Sequence, residues 1–365
     1  MAAAGRPGRG TVARTTGART IVVPALHRLF AVEGRLVGWE RVGHGHIHQT
    51  FLATYSDATG VAERVVYQRL NTDVFTDADL LAANVSRVVD HLDGREAARA
   101  VPLRVGGGRG VAVGADGSRW RAWRFVAGRP VDRFENPAQA RAAGGAIARL
   151  TARLADLPGP PLVEPIAGFH DFAHRLAGFE AAVAADVAGR VGDCRPEIDA
   201  VRRASGLAAD FGGAVTAGLL PTRLVHNDAK AENLVFDEAG REVRAVVDLD
   251  TVGPGTVLFD VGDLIRSGAA TGPEDASDPA SVDVDGDVAA AVVEGYTAAG
   301  ADFLTDGERS ALPLAGPLMA FEVALRFLTD HLAGDVYFQV HRPGHNLARA
   351  RTQLRLLDRL RQRIR

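Results

Sequence analysis

The chain has 365 residues, 47% hydrophobic and 24% charged, with a formal net charge of −3 and a sequence pI near 6.4. This length and composition predict a globular protein with two domains or one large two-lobed domain. The balanced charge argues against nucleic acid or an anionic membrane as a partner, and no apolar run reaches the roughly 18 residues of a membrane span. The single cysteine, Cys194, excludes an internal disulfide and favours a reducing compartment. We therefore expect a cytoplasmic monomer.

The first part of the chain, after a tail at residues 1–20 that we expect to be disordered, is predicted to be a strand-rich lobe covering residues 21–127. Predicted strands lie at residues 36–42, 47–55, 65–70 and 119–126, and an amphipathic helix lies at 77–92. A turn containing Gly43 and Gly45 joins the first two strands, and its backbone N–H groups can approach phosphates closely. Arg69 on the third strand is either a phosphate contact or a surface arginine.

Three histidines, His44, His46 and His48, alternate in and beside this turn. On a strand they would share one face and could bind zinc or nickel. The neighbouring glycines favour a turn, and no acid close in sequence would orient the rings. We expect instead that one histidine faces the substrate or nucleotide cleft.

Beyond a hinge at residues 128–130, the pattern predicts a larger helical lobe that covers residues 128–365. Asn136 is expected to cap its first helix, which has proline at the first helical position. Helices are predicted at residues 137–157, 169–191, 198–211 and 347–364, and another begins at 258. Their apolar spacing is that of core helices.

Polar residues cluster at 226–233 between two short apolar runs, and a third apolar run at 243–247 precedes two further acids. This pattern predicts buried strands that bring polar side chains together. Phosphoryl transfer needs a carboxylate to take the acceptor proton, and Asp228 fits that role. Lys230, the only lysine of the chain, can place a compact positive charge against a phosphate. Asn233 and Asp248 can hold Mg²⁺ through oxygen atoms.

These segments resemble the catalytic and metal-binding loops of the aminoglycoside phosphotransferase and choline kinase branch of the protein-kinase-like superfamily. Three segments are also similar to the N-acetylhexosamine 1-kinases. They are H-N-D-A-K-A-E-N at 226–233, D-L-D-T at 248–251 and D-V-G-D-L-I-R at 260–266. The chain departs from that narrower pattern at Ala229, Glu232 and Val261. It also has Gln68-Arg69 where kinases usually place a strand lysine.

The resemblance implies an α+β, protein-kinase-like two-lobed fold, in which a small antiparallel sheet with one helix covers ATP. It implies that Asp250 either joins the Mg²⁺ site or orients the sugar, and that His226 and Asp263 support the catalytic loop. The segments at 325–330, 334–338 and 345–351 are similar to the C-terminal signature of the hexosamine 1-kinases. By this similarity the sugar contacts are Arg326, Tyr337, Asp330 and either His46 or His48.

The sequence therefore predicts an ATP- and Mg²⁺-dependent kinase that makes a hexosamine 1-phosphate from a free sugar such as N-acetylglucosamine or N-acetylgalactosamine. One alternative is a kinase for an aminoglycoside, choline or another sugar. The mixed charge of residues 312–357 argues mildly against a polycationic acceptor. A second alternative is a nucleotide-binding pseudokinase, which the missing strand lysine suggests and which the presence of Asp228, Asn233 and Asp248 opposes.

Overall fold

The computed structural model describes residues 23–42, 48–57, 59–60, 62–72, 74–92, 102–103 and 110–363. The predicted tail at 1–20 lies outside these residues. So do Gly43, Gly45 and His46, whose predicted roles stay predictions.

An antiparallel sheet forms the first part of the described chain, preceded by helix α1 (Val23–Leu29). Its strands are β1 (Arg35–Arg41), β2 (Gln49–Ser56), β3 (Ala62–Arg69), β4 (Pro102–Leu103), β5 (Ala112–Val113) and β6 (Arg119–Arg124). The spatial order is β1-β2-β3-β6-β4, with β5 also paired to β6. Alternate residues of β2 are buried, as expected for a strand with one face on a core. The register places Gln68 of β3 opposite Arg121 of β6.

One long helix accompanies this sheet, as predicted. Helix α2 spans Ala78–Leu92, and its buried face includes Leu81, Val85, Val88 and Leu92. These positions follow the three- and four-residue spacing of an amphipathic helix. Burial of that face fixes the helix on the hydrophobic core rather than in solvent.

The second part of the chain is mainly helical. Its helices are α3 (Pro137–Leu154), α4 (Phe172–Ala185), α5 (Arg195–Ala204), α6 (Gly206–Thr216), α7 (Val257–Gly268), α8 (Gly286–Ala299), α9 (Asp306–Ala311), α10 (Ala315–Leu332) and α11 (His345–Arg363). Asn136 caps α3 as predicted, since its side chain accepts a hydrogen bond from the Gln139 N–H. The helix predicted at 198–211 is helical in the structure, but it is interrupted at Ser205, which divides it into α5 and α6. The helix predicted to reach residue 191 ends at Asp186, which adopts a left-handed conformation (φ 41°).

Close helix contacts in this part depend on glycine. A Cβ atom at Gly295 of α8 would lie 2.1 Å from the Arg141 carbonyl oxygen of α3. A Cβ at Gly262 of α7 would lie 2.4 Å from the Ala315 carbonyl oxygen of α10. Without side chains at these points, α7 approaches α10 closely, and both helices carry residues of the site described below.

The segment Asp306–Leu332 is long and apolar enough to cross a membrane by composition, but 78% of its most apolar window is buried inside the protein. Helix α10 within it packs against α4, α7 and α11. This is the environment of a core helix.

Two small sheets place the polar loops. They contain β7 (Arg129–Pro130), β8 (Arg223–Val225), β9 (Leu234–Phe236), β10 (Val243–Val246) and β11 (Gly253–Gly255). Strand β8 pairs with β11, and β9 pairs with both β10 and β7. Residues 226–233 connect β8 to β9, and residues 247–252 connect β10 to β11. The two connections therefore lie side by side.

Candidate active site

Asp228, Lys230 and Asn233 come together in the loop between β8 and β9. The Lys230 Nζ lies 3.3 Å from Asp228 Oδ2. Asn233 Nδ2 donates hydrogen bonds to the Asp228 carbonyl oxygen (2.8 Å) and to Asp228 Oδ2 (3.3 Å). About a quarter of the Asp228 and Lys230 side chains is exposed, so a ligand can reach both.

The charges of this pair suit a base and a cation. Burial raises the pKa of Asp228, but Lys230, His226 and Arg266 together outweigh it and hold the pKa below its ordinary value. Burial lowers the pKa of Lys230, but the attraction of Asp228 and Asp248 outweighs it and raises the pKa. At neutral pH the site therefore presents a carboxylate and an ammonium.

Asp248 lies beside Asn233 because the Asn233 carbonyl oxygen accepts a hydrogen bond of 2.9 Å from the Val247 N–H. Asp248 itself adopts a left-handed conformation (φ 62°, ψ 55°) at the end of β10. Burial, together with repulsion from Asp250 and Asp228, raises its pKa. The Asn233 side chain donates to Asp228 through Nδ2, so its Oδ1 can serve as a ligand atom. The hard oxygen atoms of Asp248 and Asn233 fit a divalent cation such as Mg²⁺.

Asp250 does not fit the predicted metal-ligand role. Both of its oxygens are bound by the guanidinium of Arg121, with Nη2 at 2.8 Å from Oδ2, and His48 Nε2 lies 2.7 Å from Oδ2. Arg121 and Asp250 are 5% and 3% exposed. Burial raises the pKa of Asp250, but Arg121 and His48 together outweigh it and hold the pKa far below its usual range. The carboxylate therefore joins the β-sheet to the turn that follows Asp248.

His48 is correspondingly not a ligand-facing histidine. It is buried, with Nε2 against Asp250, and its Nδ1 accepts a hydrogen bond from the Asn71 N–H (3.1 Å). Both ring nitrogens are thus used inside the protein, which corrects the prediction that His48 contacts the sugar.

Arg69 and Arg121 lie on adjacent strands but have different surroundings. Arg69 is about one-third exposed and lies 3.5 Å from Asp116 of the β5–β6 turn, so its role in nucleotide binding stays a prediction. Arg121 Nε instead donates to Gln68 Oε1 at 2.8 Å, on the strand where kinases usually place a lysine. Sequence analysis missed Arg121. Alternation along β6 indicates which residues share a face, but not that an arginine on that face is buried.

The backbone of the catalytic loop is held by Asp260 of α7. Its two oxygens accept hydrogen bonds from the N–H groups of His226 (2.9 Å) and Asn227 (2.8 Å). The predicted supporting acid, Asp263, does not contact this loop; its carboxylate accepts from Arg266 Nε at 2.8 Å. The two acids lie one helical turn apart, and Asp260 is the one that accepts the loop N–H groups.

His226 lies where a supporting role requires it. Its Nε2 lies 3.0 Å from the Val247 carbonyl oxygen, and its Nδ1 lies 3.3 Å from the Asp228 backbone nitrogen. The ring is fully buried. It therefore links the loop that carries Asp228 to the segment that carries Asp248.

We expect Asp260→Asn to lower kcat by about 10–100-fold, the usual effect of losing a hydrogen bond that orients ligating groups. An amide offers only one acceptor oxygen to two N–H groups. Burial raises the pKa of Asp260 to about 6, so below that pH a proton occupies one of its oxygens. Asp228 stays ionised near pH 6 because its pKa is lowered. Protonation of Asp260 should therefore make the wild-type kcat fall as the pH drops through about 6.

The measurement is kcat between pH 5 and 8 for both proteins, and the variant should lack the decline near pH 6. Asp285→Asn is the matched control, because Asp285 also accepts two backbone N–H groups, at the start of α8 away from the site. Equal pH profiles for wild type and Asp260→Asn would contradict this role.

A buried histidine, His170, supports the loop from the other side, and sequence analysis did not identify it. Its Nε2 lies 2.9 Å from the Asn227 carbonyl oxygen and its Nδ1 lies 2.8 Å from Glu322 of α10. Its ring stacks on Phe259 with centroids 4.2 Å apart. Burial lowers the pKa of His170, but Glu322 outweighs it and raises the pKa. The ion pair holds Asn227, which has a left-handed backbone (φ 64°).

A cavity of about 220 Å³ lies between α4, α10 and the loop after α10, and Arg326 and Tyr337 line it. The Arg326 guanidinium lies 4.7 Å from the ring centroid of Phe169 and 6.0 Å from that of Tyr337. The predicted sugar contacts Arg326 and Tyr337 are thus brought together.

Asp330 lines the same cavity, but its oxygens build the wall. They accept the N–H groups of Val336 (2.9 Å), Tyr337 (2.8 Å) and Phe338 (3.0 Å), and a hydrogen bond from Asn346 Nδ2 (2.8 Å). This corrects the prediction that Asp330 binds the sugar. Its carboxylate shapes the loop that carries Tyr337.

The structure combines a small antiparallel sheet with a helical part, and adjoining loops carry a carboxylate, an ammonium and oxygen ligands. This arrangement defines a two-lobed phosphotransferase of the kinase type. A model of the APH family, described as the phosphotransferase enzyme family, matches residues 38–303. The chain belongs to this family, and the predicted enzyme class, a phosphotransferase with an alcohol group as acceptor, is confirmed.

Solved structures with the same fold include an aminoglycoside phosphotransferase from Alicyclobacillus acidocaldarius (TM-score 0.60, 14% identity, 95% of this chain and 98% of that one). A choline kinase from Cryptosporidium parvum has a TM-score of 0.53 at 12% identity, covering 89% and 88%. An amicoumacin kinase, solved with AMP-PNP and Ca²⁺, has a TM-score of 0.58 at 13% identity, covering 92% and 93%. The predicted fold class and the prediction of a small-molecule kinase are confirmed.

Proposed function

We propose that this protein uses ATP and Mg²⁺ to phosphorylate the anomeric hydroxyl of a free N-acetylhexosamine, giving the sugar 1-phosphate. The observation that carries the proposal is the joint placement of Asp228, Lys230 and Asn233 in one loop, with Asp248 beside it. Asp228 accepts the proton of the acceptor hydroxyl, and Lys230 stabilises negative charge on the transferred phosphoryl group. Asn233 and Asp248 would hold Mg²⁺, which neutralises phosphate charge when bound. We propose that the enzyme acts as a cytoplasmic monomer.

The acceptor assignment is supported by the cavity that contains Arg326 and Tyr337. A guanidinium and a phenol are suitable hydrogen-bond partners for sugar hydroxyls and an acetamido group. Both residues belong to the segments that resemble the hexosamine 1-kinases. The pseudokinase alternative is opposed by the placement of Asp228, Lys230 and Asn233 in one loop with Asp248 beside it.

The charge of the same cavity disfavours cationic acceptors such as aminoglycosides and choline. The charged residues that line it include Arg175 and Arg326, and the carboxylate of Asp330 is occupied by backbone N–H groups. An aminoglycoside or choline would bring positive charge to two arginines without a free acid to receive it.

The test is a panel of free sugars with ATP and Mg²⁺, scored by ³¹P NMR for a phosphate on the anomeric carbon. We expect product from N-acetylglucosamine or N-acetylgalactosamine and none from the corresponding methyl glycoside, in which the anomeric hydroxyl is blocked. Choline and kanamycin serve as cationic acceptors. Phosphorylation of the methyl glycoside, or of the cations alone, would contradict the proposal.

A further inference from the structure

A second arginine lies in the acceptor cavity next to Arg326. Arg175 of α4 lines the cavity, and its Nε and Nη2 donate hydrogen bonds to the Phe169 carbonyl oxygen at 3.3 and 3.1 Å. The ring of the same phenylalanine lies below the Arg326 guanidinium, 4.7 Å from its central carbon. Phe169 therefore holds both guanidinium groups at one wall.

Neither arginine has a carboxylate partner among the residues that the structure describes, since no ion pair joins Arg175 or Arg326 to an acid there. The acid in the cavity wall, Asp330, is occupied by three backbone N–H groups and Asn346. The nearby Glu322 is fully buried and forms its ion pair with His170. Burial and the repulsion of Arg326 lower the pKa of Arg175, and the attraction of the buried Glu322 offsets only part of this effect. Two like charges near each other in a partly buried wall are costly until an anion lies between them.

We propose that this cavity binds a carboxylate of the acceptor, so that the preferred substrate is an acidic sugar and Arg175 is a specificity-determining residue. The inference rests on the proposed function, because it specifies the acceptor of the same site. Arginine is suited to this role, since its planar fork binds a carboxylate through two parallel hydrogen bonds.

The cavity is connected to the catalytic loop through Phe169 and His170. Phe169 is followed by His170, whose Nε2 contacts the Asn227 carbonyl oxygen, and Asn227 precedes Asp228. Arg326 lies one helical turn after Glu322, the partner of the same histidine. The proposal therefore has the acceptor extend along this connection, with its carboxylate at the arginines and a hydroxyl at Asp228.

The experiment measures binding by calorimetry for pairs that differ only in a carboxylate: glucuronate and glucose, galacturonate and galactose, and N-acetylglucosaminuronate and N-acetylglucosamine. We expect the wild type to bind at least one acid about tenfold or more tightly than its neutral parent. Arg175→Gln should remove this preference, so that acid and neutral parent bind equally, and Arg175→Lys should restore part of it. Arg202→Gln, at an exposed pair with Glu180, is the control.

Equal or weaker binding of all three acids, or an acid preference that survives in Arg175→Gln with an unchanged melting temperature, would overturn the inference. Assays of phosphate position on the same sugars separate it from the proposed function. If neutral sugars become 1-phosphates and acids have no advantage, only the inference fails. If acids bind through Arg175 but the phosphate is not anomeric, only the proposed function fails.

Discussion

Replacement of Asp228 by asparagine is expected to lower kcat by about 10²–10⁴-fold, the contribution of a positioned general base, while the KM for the acceptor changes little. The amide has nearly the shape of the carboxylate and keeps an oxygen near Asn233 Nδ2 and Lys230 Nζ. It cannot take a proton from the acceptor hydroxyl. Initial rates of ADP release, measured against acceptor and ATP separately, test this expectation.

The control for this variant is Asp199→Asn, at an exposed position of α5, which should leave both kinetic constants unchanged. Calorimetric titration with a non-hydrolysable ATP analogue should show that Asp228→Asn still binds nucleotide. A variant that retains more than about a tenth of the wild-type kcat would exclude Asp228 as the base, since that loss is smaller than a general base contributes.

Replacement of Arg121 by methionine is expected to lower the free energy of unfolding by about 3–5 kcal/mol, because it leaves Asp250 buried without its partner. Chemical denaturation at pH 7 measures the loss. The low pKa of Asp250 in the folded protein stabilises it above the unfolded pKa of about 4, and this contribution is lost as the pH falls through the folded value. The difference in the free energy of unfolding between wild type and Arg121→Met should therefore become smaller at acidic pH.

Arg124→Met on the same strand is the matched control, because Arg124 forms an ion pair with Glu63 at the surface. The two side chains are 56% and 35% exposed. Its loss should cost no more than about 1 kcal/mol. The double variant Arg121→Met/Asp250→Leu should recover most of the stability, because it removes both buried charges. If Arg121→Met costs no more than Arg124→Met, the ion pair is not what joins the β-sheet to the turn after Asp248.

Local sequence patterns were sufficient to predict features that depend on residues close together in the chain. The cap at Asn136 and the amphipathic helix α2 were predicted because their signals are short-range. The same holds for the loop at 226–233, where the base, the ammonium and the amide lie within six residues. In the structure these three side chains lie next to one another, and their predicted roles stay predictions.

Predictions failed where the partner of a polar group lies far along the chain. Asp250 was predicted to bind metal or sugar, but Arg121, 129 residues earlier, binds both of its oxygens. Asp330 was predicted to bind sugar, but the chain turns back after α10 and presents three N–H groups to it. Both acids are of a residue type that binds ligands. Whether their oxygens are free depends on which groups the fold brings to them.

The amino-acid sequence by itself determined the class of reaction, because a carboxylate, an ammonium and oxygen ligands at short spacings in consecutive β-connections carry that chemistry. The tertiary structure alone decided which polar residues are free to act and which hold others in place. Asp260 rather than Asp263 steadies the loop, and His48 supports Asp250 instead of facing a ligand. The physical reason is that a buried polar atom needs a hydrogen-bond partner, and the fold determines which group supplies it.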